Sequence, residues 1–571
     1  MNGAPRVFPL AVPDRASVHP LAAGPPPRIL ARAEAATALE VNDPSGYASG
    51  LLTWQLALAP HASATVGVVV PLSGSVAPPL PMPPRDAAAW LAREQDAAAR
   101  AWHASLDRVA IAVPASAQPV VDALRTSLAH ILLTRDGPVL RPGTRSYARS
   151  WIRDGTMMAE SLLRLGHDGA ATDYLRWYAP HQFANGKVPC CVDARGADPV
   201  AENDSAGELL FLAAEVYRYT ADRAVLAALW PQLDAAARYL ETLRQQERTD
   251  ANRAPDRAAF FGLMPASISH EGYSAKPMHS YWDDFWALKG YDAAVDIATA
   301  LDRRDAARTF ARQRDEFRGD LARSLVAAMA AHGIDYVPGA AELGDFDATS
   351  TTIAFAPGGT SAVLPAHAAA ATFERYWREF ADRRDGRKDW NDYTPYEIRT
   401  IGTFLRLGRR DRAHALLDYF MAGRRPPAWN QWPEVVRRDP RQPGFVGDMP
   451  HGWIASDFIR AALDLFAYER DTDDAIVVGA GVLPSWLDGP GIRVERLPTR
   501  HGPLGFSMRR TPGRVTVRVD AGVTMPRGGV VVAWPGAQPP GPTRVNGAPT
   551  SWHGGELRLD ALPATVVVET R

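Results

Sequence analysis

Residues 151–168, WIRDGTMMAESLLRLGHD, begin where one long connection ends and finish in a tight one at Leu165, Gly166, His167 and Asp168. A helix that breaks at Leu-Gly and is followed at once by an aspartate has one helix stopping and the next being capped. The same device recurs at Tyr219 to Asp222, Leu301 to Asp305 and Leu407 to Asp411. Between these turns lie long segments at about 135–153, 181–204, 246–282, 333–347, 384–393 and 425–451. Helical periodicity fills the rest from Pro119 to Tyr468, as in Leu209, Leu212, Ala213, Val216 and Tyr217, and in Ala413, Leu416, Leu417 and Phe420. Antiparallel helices joined tightly at one end must carry their long connections at the other. The alternation therefore predicts about twelve helices in an (α/α)6 toroid with the six long loops on one rim. A helical solenoid would need a repeating motif, and none is found.

The flanks read differently. Leu52, Trp54, Leu56 and Leu58 alternate with polar or small neighbours, and Val66, Val68 and Val70 resume the pattern after a turn near His61. A proline-rich joint at Pro78–Pro84 and an alanine-rich polar helix to Leu106 follow. Beyond Tyr468, Val515, Val517 and Val519, the Asn546-Gly547 turn pair and Val566 to Val568 return to strand patterning. The expected organisation is a mainly α chain: an N-terminal β domain at 1–85, a linker helix at 86–118, the toroid at 119–470 and a small C-terminal β domain at 471–571.

At 571 residues with a formal charge of −1, the chain has no basic block that would follow nucleic acid or an anionic membrane. No run approaches the roughly 20 apolar residues of a membrane helix, and prolines interrupt Met1–Pro27 where a signal peptide would be apolar. A cytoplasmic location is expected. Cys190 and Cys191 are the only cysteines and are read as loop residues, not as a disulfide framework or metal site. The 16 tryptophans fall often beside charged residues, which points to ligand surfaces.

The long loops gather the chemistry. They hold Trp151, Arg153 and Asp154; Glu202 and Asp204; Tyr281, Trp282, Asp283, Asp284 and Trp286; Trp390 and Asp392; Trp432 and Glu434; and His451 and Trp453. Indole faces pack on pyranose rings, and forked polar groups take pairs of hydroxyls. Cleaving a glycosidic bond needs one carboxyl kept protonated and one kept ionised, which apolar walls can arrange.

On these residues the stretch from 119 to 468 resembles the six-hairpin glycosidases, the clan of glucoamylases, trehalases and the glucosidase part of glycogen debranching enzymes. Trp151-Ile152-Arg153-Asp154-Gly155 is similar to the Trp-x-Arg-Asp element that binds the terminal sugar there. Tyr281-Trp282-Asp283-Asp284 is similar to the element presenting the general acid, and Trp432-Pro433-Glu434 lies where debranching-type relatives carry the base. The resemblance implies an inverting, exo-acting hydrolase of a neutral oligosaccharide, with no cofactor and no metal. It assigns Asp283 or Asp284 as acid, Glu434 as base, and Trp151, Arg153 and Asp154 to the terminal sugar; from their place in the loops, Trp282, Trp286, Trp390, Trp432, His451 and Trp453 are expected to contact substrate as well. No Glu-Glu pair of the glucoamylase kind is present, nor a glycine-rich segment ending in Glu-Tyr like that of trehalases, so the sugar is not implied.

Other readings stand beside these. Asp154 and Asp283 each open a helix and could be caps. Ser205 and Glu208 have capping-box spacing, which would account for Asp204. Glu202 and Asp392 are reserves for the base. His451 has no partner at a metal-ligand spacing. Arg437, Arg438 and Arg441 would suit a phosphorylase of the same fold, and a catalytically silent sugar-binding protein would keep the tryptophans without using the carboxylates.

Overall fold

A computed structural model describes residues 7–31, 38–71, 87–536 and 538–570. The chain divides into two compact units, Met1–Asp107 and Arg108–Arg571.

In the first unit, strand Arg15–Pro20 pairs antiparallel with Ala48–Thr53, and Phe8–Pro9 pairs with Val68–Val69. Helices α1 (Pro26–Ala31) and α2 (Ala87–Leu106) complete it. The alternation expected through Leu58 stops being a strand at Thr53. Past that point the Asp14 carboxylate accepts the Gln55 N–H at 2.6 Å, and Leu56 and Leu58 face water. The proline-rich joint lies outside the described residues.

The second unit holds the helices α3 (Gln118–Thr134), α4 (Ile152–Arg164), α5 (Asp168–Tyr178), α6 (Ser205–Thr220), α7 (Arg223–Glu247), α8 (Tyr281–Ala300), α9 (Arg304–His332), α10 (Ala348–Thr351), α11 (Ala366–Arg384), α12 (Arg399–Arg406), α13 (Arg410–Ala422) and α14 (Gly452–Phe466). They alternate between two environments. Every residue of α4 and α14 is buried, whereas α5, α7, α9, α11 and α13 bury one stripe. Helix α4 packs on α6, α6 on α8, α8 on α10, α10 on α12, α12 on α14 and α14 back on α4. This closed inner ring, with the other six outside it, is an (α/α)6 toroid. All six inner helices start at the rim that carries the long loops.

Two details depart from expectation. Asp222 caps α7 by accepting the N–H groups of Ala224 and Val225, but Asp168, Asp305 and Asp411 sit within the first turns, where their charge meets the helix dipole without a side-chain cap. The hairpin of α10 and α11, fourth in the chain, has no tight turn, because α10 is short, runs on as a 3-10 turn at Thr352–Ala354, and reaches α11 through residues 355–365.

Close approach of α6 and α8 depends on paired glycines. A Cβ on Gly290 would come within 2.6 Å of the Gly207 Cα, and one on Gly207 would fall on the Trp286 carbonyl. Gly207→Ala is expected to destabilise the protein by about 1–3 kcal/mol through overpacking, read as a lower urea midpoint with an unchanged slope.

Below the rim the inner helices meet through a buried ladder of ion pairs. Arg399 reaches Asp457 at 3.2 Å, Arg460 reaches Asp457 at 3.3 Å and Glu160 at 2.7 Å, and Arg164 reaches Asp464 at 2.9 Å. Each charge has a partner of opposite sign, as burial requires. With charged side chains filling the ring, a ligand entering from the long-loop rim meets a floor.

The chain leaves α14 directly into strand Ala467–Arg470 of a four-stranded sheet, earlier than residue 471. A seven-stranded sheet runs in the order Ala548–Thr550, Thr543–Val545, Ala564–Glu569, Arg514–Val519, Gly502–Thr511, Ile492–Thr499 and Ala110–Ala112. Its last strand comes from the stretch expected to be linker, and pairs with Arg493, Val494 and Glu495. No helix among the described residues is long and apolar enough to cross a membrane.

Candidate active site

The floor of the rim pocket is the start of α4. Strand Ser150–Trp151 pairs with Cys191–Asp193, and the Tyr174 hydroxyl donates to the Trp151 carbonyl at 3.1 Å, so Arg153 and Asp154 enter the ring in a fixed direction. The Arg153 guanidinium lies 5.0 Å from the Trp453 ring, donates to Glu202 at 2.6 Å, and has Asp154 at 3.8 Å, Asp204 at 3.9 Å and Glu271 at 3.8 Å. Four carboxylates thus share one cation. Burial outweighs the attraction of Arg153 and pushes Asp154 up to about 7, with the Glu271 and Glu434 charges adding to the shift. Burial likewise lifts Glu202 to about 8. Arg153 Nε and Asp154 Oδ2 are buried without a hydrogen-bond partner, an unused donor and an unused acceptor 3.8 Å apart at the pocket floor.

Glu434 forms one wall. Its loop is tied to the neighbouring loop by antiparallel pairing of Val436 with Tyr393, and Glu434 N–H donates to the Val446 carbonyl at 3.0 Å. The Tyr396 hydroxyl donates to Glu434 Oε1 at 2.9 Å, and the Tyr147 hydroxyl donates to Oε2. Tyr147 is brought there by Asp448, whose carboxylate accepts the backbone N–H groups of Arg145, Ser146 and Tyr147 at 2.7, 3.1 and 3.1 Å. His451 caps α14, stands edge-on to Tyr147 at 5.3 Å, and is pushed down to about 3 by burial, so its imidazole is neutral. The Tyr396 and Trp453 rings lie 4.3 Å apart beside it.

The third wall comes from the loop before α8. Glu271 accepts the Trp151 indole N–H at 3.1 Å, and about half of its side chain is exposed. His270 stacks over Trp282 at 4.7 Å, and the Trp282 N–H donates to Asp204 at 2.8 Å.

The lining therefore combines Trp151, Arg153, Asp154, Glu434, His451 and Trp453 from the sequence reading with Tyr147, Glu271 and Tyr396. Several expected members lie elsewhere. Asp283 and Asp284 are fully buried behind Trp282, Asp283 holding serine hydroxyls and Asp284 accepting the Met264 N–H at 2.9 Å; neither lines the pocket. Trp282 backs the floor without lining the pocket, and Trp286, one turn deeper, packs on Phe211 at 5.5 Å. Trp432 is core, donating to the Phe420 carbonyl at 2.6 Å and packing on Phe458 at 4.7 Å. Trp390 lines a separate hollow of about 330 Å³ with Asp347, Arg383 and Glu397. The reserve Asp392 pairs there with Arg437 at 3.2 Å, Arg438 pairs with Asp389, and Arg441 is exposed, so these arginines supply no anion site in the pocket. The expected capping box is absent: the Ser205 hydroxyl donates to the Glu202 carbonyl at 3.1 Å, and both Glu208 carboxyl oxygens are buried without a partner.

Among the described residues, Cys190, Cys191 and Asp198 are the one group whose ligand atoms cluster closely enough to suit a metal. Asp198 is already engaged by Arg149 at 2.8 Å, and the Cys191 contact and burial push the Cys190 thiol up, away from the thiolate a metal needs.

No protein-family model matches the chain, and no curated protein matches it. Solved structures do. The α-L-rhamnosidase from Dictyoglumus thermophilum matches with a TM-score of 0.53 at 11% identity, over 81% of this chain and 50% of that one. The GH78 family rhamnosidase of Bacillus sp. GL1 matches with a TM-score of 0.51 at 12% identity, over 70% of this chain and 40% of that one. The chain spans half the length of these proteins or less. At such identities the likeness is one of fold, the helical toroid with its β domains.

Proposed function

We propose that the protein is a glycoside hydrolase that removes a terminal sugar from a neutral oligosaccharide with inversion, Glu434 acting as base and Glu271 as acid. The observation that carries this reading is the pocket floor, where the Arg153 guanidinium and the Asp154 carboxyl line one space with the Trp151 and Trp453 indoles. A sugar hydroxyl both donates and accepts, so it satisfies both groups at once. Two tyrosine hydroxyls hold one oxygen each of Glu434 and so fix the orientation of the carboxylate that would take a proton from water. Glu271 sits at the mouth, where the leaving oxygen of an end-bound sugar would lie. An inverting pair needs about 6.5–9.5 Å between carboxyls to admit the water. The blocked ring below argues for attack on chain ends.

A second reading makes Asp154 the proton donor, because burial leaves it largely protonated below pH 7. Leaving-group dependence separates the two. Glu271→Gln is expected to slow natural glycosides by about 10²–10⁴-fold while sparing dinitrophenyl glycosides, which leave without protonation. Full activity of Glu271→Gln on poor leaving groups would transfer the role to Asp154. Aryl glycosides and disaccharides screened with and without phosphate test the class, and rates that require phosphate would make the protein a phosphorylase.

A further inference from the structure

Asp283 is fully buried and does not line the pocket, yet both of its oxygens are in use, and what they hold is the loop that carries Glu271. Ser267 Oγ donates to Asp283 Oδ2 at 2.6 Å, and Ser269 Oγ donates to Oδ1 at 2.8 Å. Ser267 Oγ in turn accepts the Ser269 N–H at 2.7 Å, and the Ser267 backbone exchanges two hydrogen bonds with Met278 at 3.0 Å each. Ser280 Oγ and His270 Nδ1 each lie 3.0 Å from Ser269 Oγ.

The held segment is strained. Ser269 has φ +54° and Glu271 has φ +65°, so the residues on both sides of His270 occupy the left-handed region without being glycine. Such backbone persists where surrounding contacts over-determine it, and it concentrates at functional sites. Its consequence here is specific: it turns the Glu271 carboxylate onto the Trp151 indole N–H and toward Arg153.

We propose that Asp283 is a positioning residue, a clasp that holds the Ser267–Glu271 turn in its left-handed form and so delivers Glu271 to the pocket. The proposal rests on the reading of Glu271 as proton donor. It accounts for a buried carboxylate at the head of α8 that does not line the pocket. It also separates Asp283 from Asp284, which holds only the Met264 N–H.

The test uses the full chain and two readouts. In ¹H–¹⁵N spectra the Trp151 indole resonance, assigned with Trp151→Phe, is expected to move in Asp283→Asn and in Glu271→Gln, and to stay in place in Asp284→Asn. Turnover of a substrate found by screening is expected to fall at least 100-fold in Asp283→Asn, with no further loss when that change is added to Glu271→Gln. An unmoved indole resonance in a folded Asp283→Asn protein, or losses that multiply in the double variant, would overturn the clasp. Should Asp283→Asn fail to fold, Ser269→Ala removes half of the clasp and Ser269→Thr restores the hydroxyl; the clasp requires the first to shift the resonance and the second to return it. If Glu271→Gln keeps full activity, the donor reading falls, and the indole resonance still decides whether Asp283 sets the turn.

Discussion

Glu434→Gln is expected to lower kcat/KM by about 10³-fold, within the range for loss of a general base, and to leave the melting temperature close to that of the parent. The size of the effect follows from what the side chain can still do. Glutamine keeps the volume and one oxygen for the Tyr147 or Tyr396 hydroxyl, so the wall stays packed, but an amide cannot take a proton from water. The tyrosines supply the control. Each donates to a separate oxygen of Glu434, so Tyr147→Phe and Tyr396→Phe should each leave the base present but less fixed, with losses smaller than that of Glu434→Gln. Steady-state kinetics and thermal melts on the three variants check this. A Glu434→Gln protein that retains parental turnover would remove the base assignment.

Asp154→Asn moves activity and stability in opposite directions. Asparagine keeps one oxygen but puts an NH2 donor in place of the other, and misplacement of the terminal sugar is expected to lower kcat/KM by about 10²-fold. The stability change has a defined sign. Asp154 stands near 7 in the folded protein against its ordinary 3.8, so between those values the folded chain keeps a proton that the unfolded chain has released. Parental stability therefore falls as pH rises from about 4 to 7, and the full penalty is present above 7. Asparagine does not titrate. The variant should melt higher than the parent at pH 8, with the advantage shrinking at pH 5 and vanishing near pH 4. A constant difference at all pH values would mean that Asp154 is ionised throughout. Arg153→Lys is a less direct probe, since Arg153 compensates four carboxylates and a lysine could not serve all of them.

The toroid was legible because its signal lies in the connections. Leu165–Asp168 and Leu407–Asp411 are tight whatever the helices pack against, and strict alternation with long loops leaves few closed arrangements. The α10–α11 hairpin escaped, since α10 is too short to have a periodicity of its own. The site was legible only in part. Trp151, Arg153, Asp154 and Glu434 lie where position along the loops points, but periodicity says nothing of which side of a helix start faces the ring axis. Asp283 and Glu271 illustrate the difference. Asp283 sits among aromatic residues at a helix start, which reads as a tuned acid, and the same aromatic residues seal it from the pocket. Glu271 lies in Ser269-His270-Glu271-Gly272-Tyr273, where the one signal is a charged residue beside glycine deep in a long loop, and its left-handed backbone is visible only in three dimensions. Trp432 and Trp286 resemble ligand platforms in sequence because a carboxylate lies two residues from each, yet their rings are buried in the core.

The anomeric configuration of the first product tests the account most directly. Proton NMR spectra recorded during the first minutes of cleavage of a glycoside found by screening would resolve the anomeric signal before mutarotation. The roles proposed for Glu434 and Glu271 require a free monosaccharide released from the chain end with its configuration inverted. A retained configuration, a glycosyl phosphate, or internal fragments of a long substrate would contradict it.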